Sequence, residues 1–241
     1  MKMRLLTALL PLAALLAGCH NDILGPTVRG SGPIQSETRT IEEFTEVELP
    51  IDAEVYLTQG VTQEVRVEAQ GNILDVLETD VDGNRLHIDF GRTIVRRHDR
   101  IRVYLTTPRL TRLVLAGSGH IVSTNTWLLP RLDVSISGSG STDLACEQAT
   151  NLTTTISGSG KARWEGNAGH HEINISGSGE VASYDLDTDA VDVNLVGSGR
   201  AKVRVADNLT VRISGSGNVY YKGRPNISTE VSGSGRVLNA N

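Results

Sequence analysis

The tripeptide Gly-Ser-Gly constrains this chain more than anything else in it, because it recurs at near-constant intervals. Copies begin at Gly117, Gly138, Gly158, Gly177, Gly197, Gly215 and Gly233, with gaps of 21, 20, 19, 20, 18 and 18 residues. An eighth, Gly30-Ser31-Gly32, stands far upstream. Sixteen of the 25 glycines fall in these eight copies, so glycine here is punctuation and not flexible linker. A period of about 20 residues is the signature of stacked repeats, each too small to bury its own apolar face alone.

The flanking residues say what the repeated unit is. Before the first glycine of a copy, apolar residues alternate: Ile136, Val134 and Leu132; Leu195, Val193 and Val191; Ile213, Val211 and Leu209. Alternation with period two is a strand with one buried face. Four residues after that glycine stand Ile121, Thr142, Ala162, Val181, Ala201, Val219 and Val237, which start a second short strand. Each repeat is therefore strand, glycine corner, strand and return turn. The expected fold is all-β, a single-domain parallel, right-handed β-helix or solenoid. Its coils, at about 4.8 Å each, would build a rod of very roughly 34 Å.

At the corners, Gly117 and Gly119, Gly138 and Gly140, Gly158 and Gly160, and Gly177 and Gly179 are the expected structural turns, followed by Gly197 and Gly199, Gly215 and Gly217, and Gly233 and Gly235. Either glycine of a pair can take φ > 0 and let the chain turn sharply. The central serines, from Ser118 and Ser139 to Ser216 and Ser234, would lie one above another. They form either a ladder of hydroxyls that satisfies corner backbone groups or a polar stripe facing a ligand. None sits in a Gly-x-Ser-x-Gly elbow, which argues against a hydrolase nucleophile.

Residues 1–18, MKMRLLTALLPLAALLAG, pair a basic start (Lys2, Arg4) with an apolar run too short to span a bilayer. The run ends in Leu16-Ala17-Gly18-Cys19, which resembles a bacterial lipobox and implies cleavage before Cys19 and lipidation of that residue. Several acyl chains on one residue suffice for stable membrane anchoring. His20, where an inner-membrane sorting signal of the enteric type has Asp, points to the outer membrane of a Gram-negative envelope. The alternative is an ordinary secretory leader with a chance cysteine. Losing Lys2 and Arg4 makes the mature chain more acidic than the −5 of the full sequence, which argues against nucleic acid as a partner. It also leaves Cys146 as the one remaining thiol, expected to be a small buried hydrophobe.

Residues 19–43 are polar, carry Gly25-Pro26 and Gly32-Pro33, and read as a tether running into an irregular first turn. From Phe44 the alternation resumes in Val47 and Leu49, Val55 and Leu57, Val65 and Val67, Leu86 and Ile88, and Val103 and Leu105. The run from Asn72 to Leu77 is apolar at helical spacing, a single turn or a bent strand, and Asp82-Gly83-Asn84 marks a turn between two β runs. No linker separates the halves. The chain reads as one unit over residues 44–241, with irregular coils over 44–110 and regular ones over 111–241.

Several ordered motifs now bring a family into view: Phe44-Thr-Glu-Val-Glu-Leu49, Val55-Tyr-Leu-Thr-Gln-Gly60, Glu68-Ala-Gln-Gly-Asn72, the repeated Ile-Ser-Gly-Ser-Gly, and Ser214-Gly-Ser-Gly-Asn-Val-Tyr220-Tyr221-Lys-Gly223. Over roughly residues 30–238 the sequence resembles the putative auto-transporter adhesin head "GIN" domain family, formerly a domain of unknown function. The resemblance implies a β-helical fold and a surface-exposed or lipid-anchored place in the envelope. It carries over no catalytic residues.

Three clusters outside the corners have chemistry to offer. Residues 92–112 hold Arg92, Arg96, Arg97, Arg100, Arg102, Arg109 and Arg112 against the single acid Asp99. Arg96, Arg97, Arg100 and Arg102 are candidates to pair with phosphate or carboxylate of an acidic glycan, and outward Tyr220 is a candidate to stack on a sugar. The alternative is an outer face neutralised by glutamates of neighbouring coils. Asp185, Asp187 and Asp189 project alternately from a return segment, as a calcium ion would accept, although the glycine and final glutamate of an EF-hand loop are missing. A solvated acidic turn is the other reading. His170 and His171 diverge, with His171 inward, and make a poor metal pair.

The repeats vary only from 18 to 21 residues and leave little loop material for the walls of a catalytic cleft. The expectation is a non-enzymatic module without a cofactor, held to the outer membrane by its lipid and adhesin-like in binding a glycan or an envelope protein. The runner-up is a structural envelope scaffold, and the third reading is a polysaccharide-processing enzyme. The last coil, ending Val237-Leu238-Asn239-Ala240-Asn241, carries no capping helix. It is expected either to be covered by the tail or to stack weakly end to end on a second copy.

Overall fold

The computed structural model describes residues 25–241, so the leader, Cys19 and the first residues of the tether lie outside the described residues. Within it the corner glycines superpose. Strand Arg131–Gly138 runs parallel to the second half of strand Ser141–Gly158 with Gly138 opposite Gly158, and the register continues through Gly177, Gly197, Gly215 and Gly233. After each corner the chain joins a second wall, where Ile121, Thr142, Ala162, Val181, Ala201, Val219 and Val237 are successive partners. Strands Ser141–Gly158, Lys161–Gly177, Glu180–Gly197 and Arg200–Gly215 bend round the coil and serve both walls. Between the walls the ladders shift register, near Cys146/Ala149, Arg163/Glu165 and Ser183/Asp187, so the expected return turn becomes a narrow third side. The fold is a parallel β-solenoid.

Its interior is a set of columns. Ile136, Ile156, Ile175, Leu195 and Ile213 stand one above another, each at most 2% exposed. Burying each such side chain contributes roughly 1.5–3 kcal/mol relative to leaving it in water.

The two glycines of a corner answer different demands. From Gly138 to Gly233 the first has φ between +117° and +141°, a region costly for any residue with a Cβ. A Cβ on Gly177 would also stand 2.6 Å from the carbonyl oxygen of Gly158 in the adjoining coil. The second glycine does not share the positive φ. It roofs the aliphatic column: a Cβ on Gly179 would stand 2.5 Å from Cγ2 of Ile156. Of the two glycines able to take φ > 0, only the first does so, and only from Gly138 onward.

Corner amides donate to corner carbonyls of the coil before, as in Ser178 N to Gly158 O and Ser198 N to Gly177 O, both 2.9 Å. The central serines are exposed, and among the described residues their hydroxyls make no hydrogen bond, so the column is held by backbone and not by a hydroxyl ladder. The upstream copy stands off the column: Gly30 N donates to Arg97 O and Ser31 N to Asn72 Oδ1.

The first half departs from simple winding. Winding begins with strands Glu46–Leu49 and Glu54–Gln59, whose corner runs from Pro50 to Ala53 without glycine. The chain then leaves through strand Glu64–Gln70, the one-turn helix Gly71–Leu74 and the hairpin Glu78–Asp82/Arg85–Asp89, which turns at Gly83 (φ +62°). It returns to lay a coil from Arg85–Asp89 and Arg102–Thr107 on the far side of the starting one, then crosses back to continue at Arg112–Leu115 and His120–Ser123. Spatial order is thus not chain order here, and this interleaving is the form the irregular coils of residues 44–110 take. Antiparallel strands close this end: Ile34–Arg39 pairs with Glu64–Gln70, which pairs with Arg102–Thr107.

At the other end strand Asn226–Gly233 is paired on one side, and its inward Ile227 and Val231 are each 43% exposed. The tail does not cover them. Ala240 N donates to Tyr221 O at 2.8 Å, and the side chain of Asn241 bonds both backbone groups of Gly223, so the chain leaves along the third side.

This division of labour at the corner sets an expected result. Gly177→Ala should lower stability by about 1–3 kcal/mol through backbone strain and crowding. Ser178→Ala should stay within about 0.5 kcal/mol of the parent. Urea midpoints of the two variants check both.

Candidate functional site

The arginines do not gather into one anion site. Arg100 and Arg102 both reach Glu54 on the neighbouring coil, at 2.8 and 3.5 Å, and Arg112 lies 3.8 Å from Asp133. Arg100 stands just ahead of strand Arg102–Thr107, outward like Arg102, with buried Ile101 between them. Arg96 ends the short strand Ile94–Arg96, and Arg97 follows it at φ +52°, both exposed and without an ion pair among the described residues. Tyr220 lies towards the other end of the second wall, between Lys202 and Leu238 in register, and no arginine of the group reaches it. An aromatic pair does sit near Arg102: Tyr56 and Tyr104 stack with centroids 5.0 Å apart. Its outer face is taken, because the guanidinium of Arg66 lies 3.8 Å over Tyr104 and Glu68 accepts from both Arg66 and Tyr104.

The acidic return is split between neighbours. Asp185 pairs with Arg163 at 2.9 Å and Asp187 with Arg204 at 3.4 Å, on opposite sides along the axis, while Asp189 has no ion pair among the described residues. No group of three or more His, Cys, Asp or Glu among the described residues is placed to hold a metal ion.

The histidines diverge. Outward His170 meets Asp192 at 2.9 Å. Inward His171 is fully buried, with Nε2 2.9 Å from Thr154 Oγ1, which also accepts from Trp164 Nε1 at 3.0 Å. Burial, with a smaller contribution from His170, holds the His171 imidazole down to about 3. Cys146 is buried too, and burial pushes its thiol up to about 12, so it is no nucleophile.

A further concavity lies along the third side, where the sequence singled out only the aspartates Asp187 and Asp189. It is a shallow groove of about 690 Å³ that crosses successive coils. Its floor is small and buried: Ala149, Ala168, Thr188 and Val205 are register partners, none more than 6% exposed. One rim carries Gln148, Asn167, Asp187 and Arg204, one residue per coil, with Gln148 N donating to Asn167 Oδ1 at 2.8 Å. The other is formed by Thr150, Gly169, Asp189 and Ala206. Sharp bends lead into it at Gln148 (φ +57°) and Gly166 (φ +110°). Apart from the alternating carboxylates of Asp187 and Asp189, the sequence signal for these residues is their recurrence at the coil period.

The family model described as "Putative auto-transporter adhesin, head GIN domain" matches residues 43–225. The chain belongs to that family. Among curated proteins no relative matches. A putative adhesin from Bacteroides fragilis has the same fold, with a TM-score of 0.82 at 23% identity over 88% of this chain and 100% of that one. A protein from Parabacteroides distasonis described as a putative lipid binding protein is similar with a TM-score of 0.77 at 23% identity, over 89% of this chain and all of its own. A putative adhesin from the same organism gives 0.73 at 22%, over 89% and 100%. At these identities the likeness is one of fold. The GIN family match places the candidate groove inside the matched region, since it runs from Gln148 to Gly223.

The buried imidazole makes acid sensitivity a property of the solenoid's interior. Between the ordinary value of about 6.5 and the folded value, the unfolded chain binds a proton that the folded chain does not, so stability falls as pH falls through that window. The slope is about 1.4 kcal/mol per pH unit. His171→Leu should remove it, so that moving from pH 7 to pH 4.5 costs the variant about 2–3 kcal/mol less than the parent in urea unfolding.

Proposed function

We propose that this chain is a non-enzymatic binding module of the cell envelope, adhesin-like and tethered through a lipid on Cys19. Its ligand is a glycan or another envelope component. Membership of the GIN family over residues 43–225 carries the reading. The lipobox-like Leu16-Ala17-Gly18-Cys19 supplies the anchor and the outer membrane the address. The form of the solenoid supports the same conclusion. A core of packed side chains leaves the outer surfaces rigid, and a rigid extended surface binds without paying to order itself.

The uncovered edge of strand Asn226–Gly233, with Ile227 and Val231 beside it, is the surface for weak end-to-end pairing of two copies. Such pairing would present two ligand surfaces at once and raise avidity without new contacts.

The decisive experiment has two arms. In cells, Cys19→Ala should move the protein from the detergent-soluble membrane fraction to the aqueous one and abolish labelling by a palmitate analogue. In vitro, a soluble form starting at Asn21 should be retained on envelope fractions or glycans without consuming them. Turnover of any glycan would replace the binding reading with an enzymatic one, and loss of all retention would leave the scaffold.

A further inference from the structure

The groove on the third side has features that select among ligands. Its contacts repeat once per coil, at a spacing of about 4.8 Å, so a ligand laid along the axis meets equivalent groups at every step. A partner with its own linear repeat satisfies that arrangement, and a compact one does not.

Polarity narrows the choice. The floor of two alanines, a threonine and a valine offers shape but no aromatic or aliphatic prominence for an apolar anchor. The side chains of Gln148, Thr150 and Asp189 make no hydrogen bond among the described residues, so donors and acceptors line both rims unspent. A hydroxyl-dense ligand uses such groups. Charge narrows it again. Arg204 is matched by Asp187 at 3.4 Å, which leaves Asp189 to make the groove net acidic. A polymer carrying carboxylates or phosphates is disfavoured there.

We propose that the third-side groove binds a linear, uncharged polysaccharide laid parallel to the solenoid axis, with successive coils meeting successive sugars. This deepens the binding-module reading and rests on it. It moves the ligand site away from Arg96 and Arg97, which lie between strands Arg85–Asp89 and Arg102–Thr107 near the closed end.

The test is titration calorimetry on the soluble form starting at Asn21, which keeps every described residue. The probes are neutral linear hexasaccharides of the cello, xylo, manno and N-acetylchito series, with a galacturonate hexamer as acidic counterpart. One neutral series should bind, its trisaccharide more weakly, and the acidic hexamer should not. Ala206→Trp, at an exposed rim position, should weaken binding at least tenfold, while Arg96→Ala with Arg97→Ala leaves it unchanged. Thr150→Trp, three coils away on the same rim, serves the same purpose should Ala206→Trp lower the thermal midpoint. Neutral binding untouched by either tryptophan would overturn the groove and spare the binding-module reading. Preference for the acidic hexamer, lost with the two arginines, would move the site to the segment between strands Arg85–Asp89 and Arg102–Thr107. Retention on envelope fractions with no hexasaccharide bound would overturn the glycan assignment and leave an envelope-component binder.

Discussion

Everything in this solenoid depends on how closely one backbone can approach another at the corner. The carbonyl oxygen of each corner glycine occupies the place where a Cβ on the next coil's glycine would be, 2.6 Å away at Gly177 and 2.7 Å at Gly158. With that atom absent, corner amides reach corner carbonyls at 2.9 Å and the register of both walls is fixed. The columns of Ile and Leu follow from the register, because a ladder with side-chain period two sends the same position of every coil inward. The second glycine lets the column extend beneath the corner.

With the interior settled, the outer surface carries little of the stability. Its ion pairs, such as Arg163 with Asp185 and Arg212 with Glu230, are solvent-exposed and worth about 0–1 kcal/mol each. The outside of each coil is free to vary. The polar interruption of the core is different. Trp164, Thr154 and His171 are hydrogen-bonded to one another inside the lumen, and that network ties two neighbouring coils through side chains as well as backbone.

The regular coils were legible because every constraint on them is local and repeated: Gly138 predicts Gly158, and Ile136 predicts Ile156. Two things hid the N-terminal half. Its first corner, Pro50 to Ala53, turns without glycine, and strands Arg85–Asp89 and Arg102–Thr107 lie on the far side of strands that precede them. Alternation shows that such a segment is a strand, but not which neighbour it pairs with or in which direction. The arginine excess was plain as composition and neutralisation by a neighbouring coil's glutamate was one reading of it, but that Glu54 is the partner was not legible, since it stands 46 and 48 residues away. The groove was hidden for another reason. It arises from small side chains and register shifts, and Ala149, Ala168 and Thr188 show nothing unusual until the ladders place them side by side.

The crossing at the N-terminal end also has a consequence for how this architecture can change length. In the regular region each coil touches only its two neighbours, so a block of one period could be duplicated or lost while the remaining interfaces reform unchanged. The interleaved segment allows no such edit, because removing Arg85–Thr107 would strip the partner from Glu46–Gln59 and uncouple the antiparallel strands beyond. One half of the molecule is thus modular and extensible, and the other is a fixed foundation from which any number of coils could be raised.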